Sequence, residues 1–122
     1  MTGAPPASEV RVQRRFRLTR SGDFERARQS GRSYAHRLVV LVARENDQGH
    51  VRVGVAAGRS VGNAVKRNRA KRLLRAAMQS LIASVKPGWD VVLIARPPLA
   101  SSDCAEVREV LVTLLSRAEL VL

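Results

Sequence analysis

The sequence predicts an α+β protein, a two-layer α/β sandwich with its helices packed on one mostly antiparallel sheet, in the order helix, strands, helix, strand, helix. Three observations predict it. Runs of β-branched and apolar residues at 37–45, 51–57 and 90–96 read as strands. Apolar residues at helical spacing run through about 64–85 and again through Val107, Val110, Leu111, Leu114, Leu115 and Ala118. The chain has 122 residues, 45% of them apolar, which suits one domain with a real core and leaves little room for a second.

Taken in order, residues 1–10, with Pro5 and Pro6 among small residues, read as a flexible leader, and 11–122 as a single domain. Arg11 to Arg20 is basic and extended in pattern, with Phe16 as its one aromatic. Ser21 is a candidate N-cap, Asp23 and Glu25 suit the positive end of a helix, and a short helix through Phe24 and Ala27 would stop at Gly31. A short extra strand near Ser33–Ala35 is only weakly patterned. Arg37–Glu45 is apolar on both alternating faces, as in a covered central strand. Asn46–Gly49 has turn chemistry, so this strand and 51–57 are expected to pair as an antiparallel hairpin. After Gly58–Gly62 comes the long helix, then a turn at Pro87-Gly88, then the strand Asp90–Arg96, ended by Pro97-Pro98. Asp103 with Glu106 three residues on gives the last helix a capping-box-like start.

Composition narrows the function. No apolar run approaches the ~18–20 residues that span a bilayer, so no membrane protein is expected. The N-terminus lacks a basic stretch followed by an apolar one, so no secretory signal is expected either. One cysteine, Cys104, excludes an intrachain disulfide and a cysteine-based zinc site, and a cytoplasmic protein follows. The net charge of +12 is unevenly spread: residues 10–75 hold 18 basic and 4 acidic side chains, and 76–122 hold 4 and 5. Of the 22 basic residues 19 are arginine, whose planar fork of donors fits phosphates and stacks on bases. Such a one-sided surplus reads as a footprint for nucleic acid.

The stretch Arg59–Ala77 holds seven basic residues and no acid. At 100° per residue, Ala70, Leu73, Leu74, Ala77, Met78 and Leu81 share one apolar arc, while Lys71, Arg75, Asn68, Arg72 and Arg69 lie around the opposite one. A solvated basic helix is the bland reading. Seven like charges with no acid to relieve them nevertheless repel unless an anion binds. Gly62-Asn63 suits a tight backbone approach, and free N–H groups at a helix start receive phosphate readily.

The segment V-G-N-A-V-x-R-N-R-x-K-R-L-x-R, centred on Arg67-Asn68-Arg69, closely resembles the signature of the bacterial ribonuclease P protein subunit. The resemblance extends to the Asp23-Phe24 pair, the VRVG sequence at 51–54 and the late DVVLIARP, and covers about residues 14–118. It implies a protein that binds a large catalytic RNA, whose Mg²⁺-dependent cleavage removes the 5′ leader of precursor tRNA. No catalytic residue, metal site or protein oligomer is required of the protein itself. It also implies an uncommon left-handed βαβ crossover at the motif, against the usual hand. Residue by residue, it assigns Arg67, Asn68, Arg69, Lys71, Arg72 and Arg75 to the catalytic RNA, with Arg59 and Asn63 on the approach. It assigns Phe24 to a leader-binding cleft between the sheet and the first helix, with Arg14, Arg15, Phe16 and Arg17 beside it. Arg28 and Val42 stand where many members carry further cleft aromatics, and Arg59-Ser60 stands for a paired-lysine position, so leader contact is expected to rely more on arginine.

Other candidates read blandly. Without the resemblance Phe24 reads as a core residue packing its helix on the sheet, Phe16 fits base stacking and anchoring equally, Tyr34 fits the RNA-facing edge or a strand cap, and Trp89 reads as a packing or partly exposed residue. His36 and His50 show no metal spacing, and Cys104 has no paired base and reads as structural. Scattered acids offer no carboxylate pair for hydrolysis, so any cleavage must be done by another component. A structural RNA-binding protein without a processing role is the second reading, and a helix-turn-helix DNA binder, disfavoured by the strands, is the third.

Overall fold

In the computed structural model, the described residues are 29–122. The 1–10 leader, the Arg11–Arg20 run and the helix expected through Phe24 lie outside them. Gln29 and Ser30 are helical, and the chain bends at Gly31.

Four strands follow: β1 (Arg32–Ala35), β2 (Val39–Glu45), β3 (Arg52–Ala57) and, after a helix, β4 (Trp89–Ala95). The helices are α1 (Ala64–Gln79) and α2 (Cys104–Arg117), with short 3₁₀ turns at Arg59–Val61, Ile82–Ser84 and Pro97–Ser101. The sheet order is β1-β2-β4-β3. β1 pairs antiparallel with β2, and β2 antiparallel with β4. β3 and β4 pair in parallel, with α1 as the connection between them.

This corrects the expected hairpin of 37–45 with 51–57. β2 and β3 are not partners, because β4 lies between them and pairs with both. The cause is visible in β4 itself. Val91, Val92 and Leu93 are each 0% exposed, so this strand belongs at the centre, flanked on both edges. Its Asp90, 1% exposed, fixes the insertion. Arg52 of β3 donates to it from Nε (2.8 Å) and Nη2 (2.9 Å), and Asn46, just past β2, donates from Nδ2 (2.7 Å). The Asn46 backbone N–H also reaches the Gly88 carbonyl at 2.8 Å. The turn chemistry at 46–49 therefore serves a loop that spans the width of an intervening strand.

Alternation along the strands separates two faces. Val39, Leu41, Ala43, Val53, Val91, Leu93 and Ala95 join Ala70, Leu74, Ala77 and Met78 of α1 and Val107, Leu111 and Leu114 of α2 in one core. On the opposite face Val42 and Val92, directly paired, form a second small cluster with Val40 and Ile94.

Both helices start as the sequence predicts. The Asp103 carboxylate accepts from the Glu106 N–H at 2.8 Å, and Asn63 caps α1. The long helix is shorter than expected, ending at Gln79 rather than near 85. Leu81 nevertheless stays buried, because the turn after α1 returns it to the core.

Candidate RNA-binding surface

α1 gains its orientation from the turn before it. Gly62 adopts φ 139° and ψ −153°, a backbone conformation essentially restricted to glycine. A Cβ there would lie 2.7 Å from Lys66 Cδ. Asn63 then caps the helix: its Oδ1 accepts from the Lys66 N–H at 3.0 Å. The first turn holds no acid and carries Lys66 and Arg67 instead. Cations at the positive end of a helix dipole oppose its stability, which favours an anion arriving from outside.

Beyond the first turn the side chains sort by face. Val65, Asn68, Lys71, Arg72 and Arg75 line one shallow depression of about 430 Å³ on the outer side of the helix. Ala70, Leu74, Ala77 and Met78 anchor the inner side, each 0% exposed. The three cations of the depression are thus held on a helix that cannot roll without exposing its core.

The Arg67-Asn68-Arg69 triplet does not act as one patch. At 3.6 residues per turn, Arg67 and Arg69 stand about 100° to either side of Asn68. Arg69 turns back to the fold, its Nε donating to the Ala100 carbonyl at 2.8 Å, and so ties α1 to the Pro97–Ser101 turn. Arg67 is partly buried. Arg59 is exposed on the 3₁₀ turn ahead of the helix.

Of the expected cleft residues, Arg14, Arg15, Phe16, Arg17, Phe24 and Arg28 lie outside the described residues. Val42 is described, and it is not near the α1 stripe. It sits on the opposite sheet face, buried against Val92. Two residues of the α1 surface were missed by the sequence reading. Val65, 72% exposed, sits at the N-terminal end of the cationic stripe; its signal was an apolar residue far from the apolar arc. The Ala100 carbonyl, which holds Arg69, left no signal in sequence.

His36 Nδ1 accepts the Leu38 N–H at 3.1 Å and orders the turn into β2. Cys104 opens α2 as an exposed residue, so it is a surface thiol rather than a packing one. Among the described residues no cluster of three or more His, Cys, Asp or Glu side chains could hold a metal ion. Nor is any helix among them long and apolar enough to cross a membrane.

The profile of the Ribonuclease P family matches residues 12–119, nearly the whole chain. The chain belongs to the ribonuclease P protein family. The ribonuclease P protein component of Oceanobacillus iheyensis is 38% identical over 105 residues, covering 85% of this chain and 87% of the relative. That of Dehalococcoides mccartyi is 41% identical over 104 residues, covering 85% of each. Among solved structures, the Staphylococcus aureus RNase P protein superposes with a TM-score of 0.78 at 28% identity, covering 88% of this chain and 98% of that one. The Thermotoga maritima RNase P protein gives 0.74 at 31% identity, covering 83% and 96%. The α+β fold is therefore that of RNase P proteins, membership places the chain in tRNA processing, and its partner is the RNase P RNA.

Proposed function

We propose that this chain is the subunit that binds the catalytic RNA of ribonuclease P through α1 and the 5′ leader of precursor tRNA through its N-terminal third and the sheet face bearing Val42, promoting endonucleolytic removal of the leader in the cytoplasm. The observation that carries it is the stripe of Asn68, Lys71, Arg72 and Arg75, fixed on a helix without acids and backed by a buried apolar side. Lys71, Arg72 and Arg75 neutralise phosphates that the folded RNA brings close together, and Asn68 offers a hydrogen-bonding amide between them. Arg69 splits its donors: Nε holds the Pro97–Ser101 turn, which leaves its terminal nitrogens to meet the RNA. Asn63 contributes its free Nδ2 while its Oδ1 keeps the helix capped.

The catalytic RNA performs the bond cleavage with Mg²⁺, which it holds and which supplies charge neutralisation and an activated water. The protein lowers the Mg²⁺ that assembly requires, because its cations do part of the same neutralisation. On the far sheet face, Val42 and Val92 are buried, so they support the leader cleft from beneath and do not touch the strand. Arg14, Arg15, Arg17 and Arg28 carry the leader phosphates, with Phe16 and Phe24 stacking on its bases.

The test compares precursor and mature tRNA binding to the assembled RNA–protein complex at one fixed Mg²⁺ concentration. The proposal expects tighter binding of the precursor, and a preference that vanishes when the RNA is used without the chain. Equal affinity for the two tRNAs in the complex would refute the leader role.

A further inference from the structure

At the end of the sheet remote from the Pro97–Ser101 turn, a second depression of about 410 Å³ is lined by Arg32, Ala43, Arg44, Glu45, Trp89 and Ser30. Its shape follows from register. Arg32 of β1 pairs with Ala43 of β2, and Glu45 of β2 pairs with Trp89 of β4. All four share the alternation parity of the helix-side face. Where that row of β2 carries Val39 and Leu41 further along, it has only the Ala43 methyl here. The floor is therefore low, with Trp89 and Glu45 on one side and Arg32 on the other.

Three charged groups around this floor, Arg32, Arg44 and Glu45, are unspent. Trp89, the chain's single tryptophan, is half-buried against the core yet keeps part of its ring on the depression. Among the described residues, the side chains of Arg32, Arg44 and Glu45 make no hydrogen bond or ion pair. Two cations and a carboxylate left unpaired beside an indole form an amphipathic slot rather than a packed corner. Its parts match an unpaired nucleotide: an aromatic face to stack on, cations for the phosphate, and a carboxylate that only accepts hydrogen bonds. Guanine alone among the RNA bases presents two adjacent N–H donors on its Watson–Crick edge, which a carboxylate can receive together.

We infer that Trp89, Glu45 and Arg32 form a subsite for a single unpaired guanosine of a bound RNA strand. The base stacks on the indole, its Watson–Crick edge meets Glu45, and Arg32 with Arg44 at the rim receives the flanking phosphate. This rests on the RNA-binding reading of the chain and adds to it a base-selective contact away from α1.

Trp89 is its own reporter. The full chain is titrated with a hexaribonucleotide carrying one guanosine among uridines, and separately with the all-uridine hexamer. Tryptophan emission is followed together with anisotropy of a 5′ label on the RNA. Saturable quenching is expected, with an affinity for the guanosine oligomer tighter by about tenfold, the order a good two-bond base contact gives. Glu45→Gln is expected to remove most of that preference, whereas Arg32→Ala weakens both oligomers alike. Binding seen by anisotropy with unmoved emission would overturn the subsite and leave the RNA-binding reading standing. A guanosine preference unchanged in Glu45→Gln would overturn it as well. If neither signal changes with either oligomer while labelled RNase P RNA still binds, the subsite alone is overturned; if that RNA fails to bind as well, the RNA-binding reading falls with it.

Discussion

Replacing Lys71 and Arg72 together by alanine separates the RNA surface from the fold. Both side chains line the α1 depression, and neither takes part in the core, whose α1 members are Ala70, Leu74, Ala77 and Met78. Thermal stability should therefore stay within about 0.5 kcal/mol of the parent, as for surface positions generally. RNA binding should not. Each phosphate contact contributes about 0.7–0.9 to the slope of log affinity against log salt, so losing two lowers the slope by about 1.4–1.8. Across a fourfold rise in salt, from about 50 to 200 mM, the parent's advantage over the double variant should then shrink by about 7- to 12-fold. Anisotropy of labelled RNase P RNA at four or five salt concentrations measures both slopes, and a circular dichroism melt checks the fold. Parallel slopes for parent and variant, with the fold intact, would refute the claim that this stripe meets phosphates.

Three further outcomes follow from the packing. Arg52→Met should cost about 3–5 kcal/mol, because it strands a buried carboxylate; the Asp90 side chain is 2% exposed against 19% for Arg52. Asp90→Asn should cost less, since Arg52 can turn to water, and urea midpoints of the two variants give the order. Gly62→Ala should cost about 1–3 kcal/mol from its glycine-only backbone conformation, and urea unfolding that matches the parent would contradict that. Arg69→Met should lose about 0.5–1.5 kcal/mol with its bond to the Ala100 carbonyl and also weaken RNA binding. Arg72→Ala should weaken binding alone, so stability and affinity measured on the same two variants tell the roles apart.

What was legible in the sequence was what is local or periodic. The apolar arc of α1 is set by residues three and four apart, and each of Ala70, Leu74, Ala77 and Met78 is buried as the spacing requires. The cap at Asp103 acts over three residues and was readable for the same reason; the Asn63 cap has the same three-residue reach but was not read as one. Strand partnership was not. Neighbouring strands with a turn between them favour a hairpin, yet β4 enters between β2 and β3 from more than thirty residues downstream. The clue was Asp90, a lone acid at the head of an apolar strand, which needed the distant Arg52 and Asn46 to become affordable in the interior. On α1 the charge pattern showed which arc of the helix is cationic. It did not show that Arg69 reaches the Ala100 carbonyl, since a backbone carbonyl acceptor leaves no trace in residue type.

If the chain works as the protein partner of an RNA enzyme, cleavage of precursor tRNA at low Mg²⁺ must depend on both components. The cognate RNase P RNA is assayed alone and with the chain, and the chain is assayed alone. Correct mature 5′ ends are expected only from the combination, with the chain by itself inert. Cleavage by the RNA that is no better with the chain than without it, or cleavage by the chain alone, would contradict it.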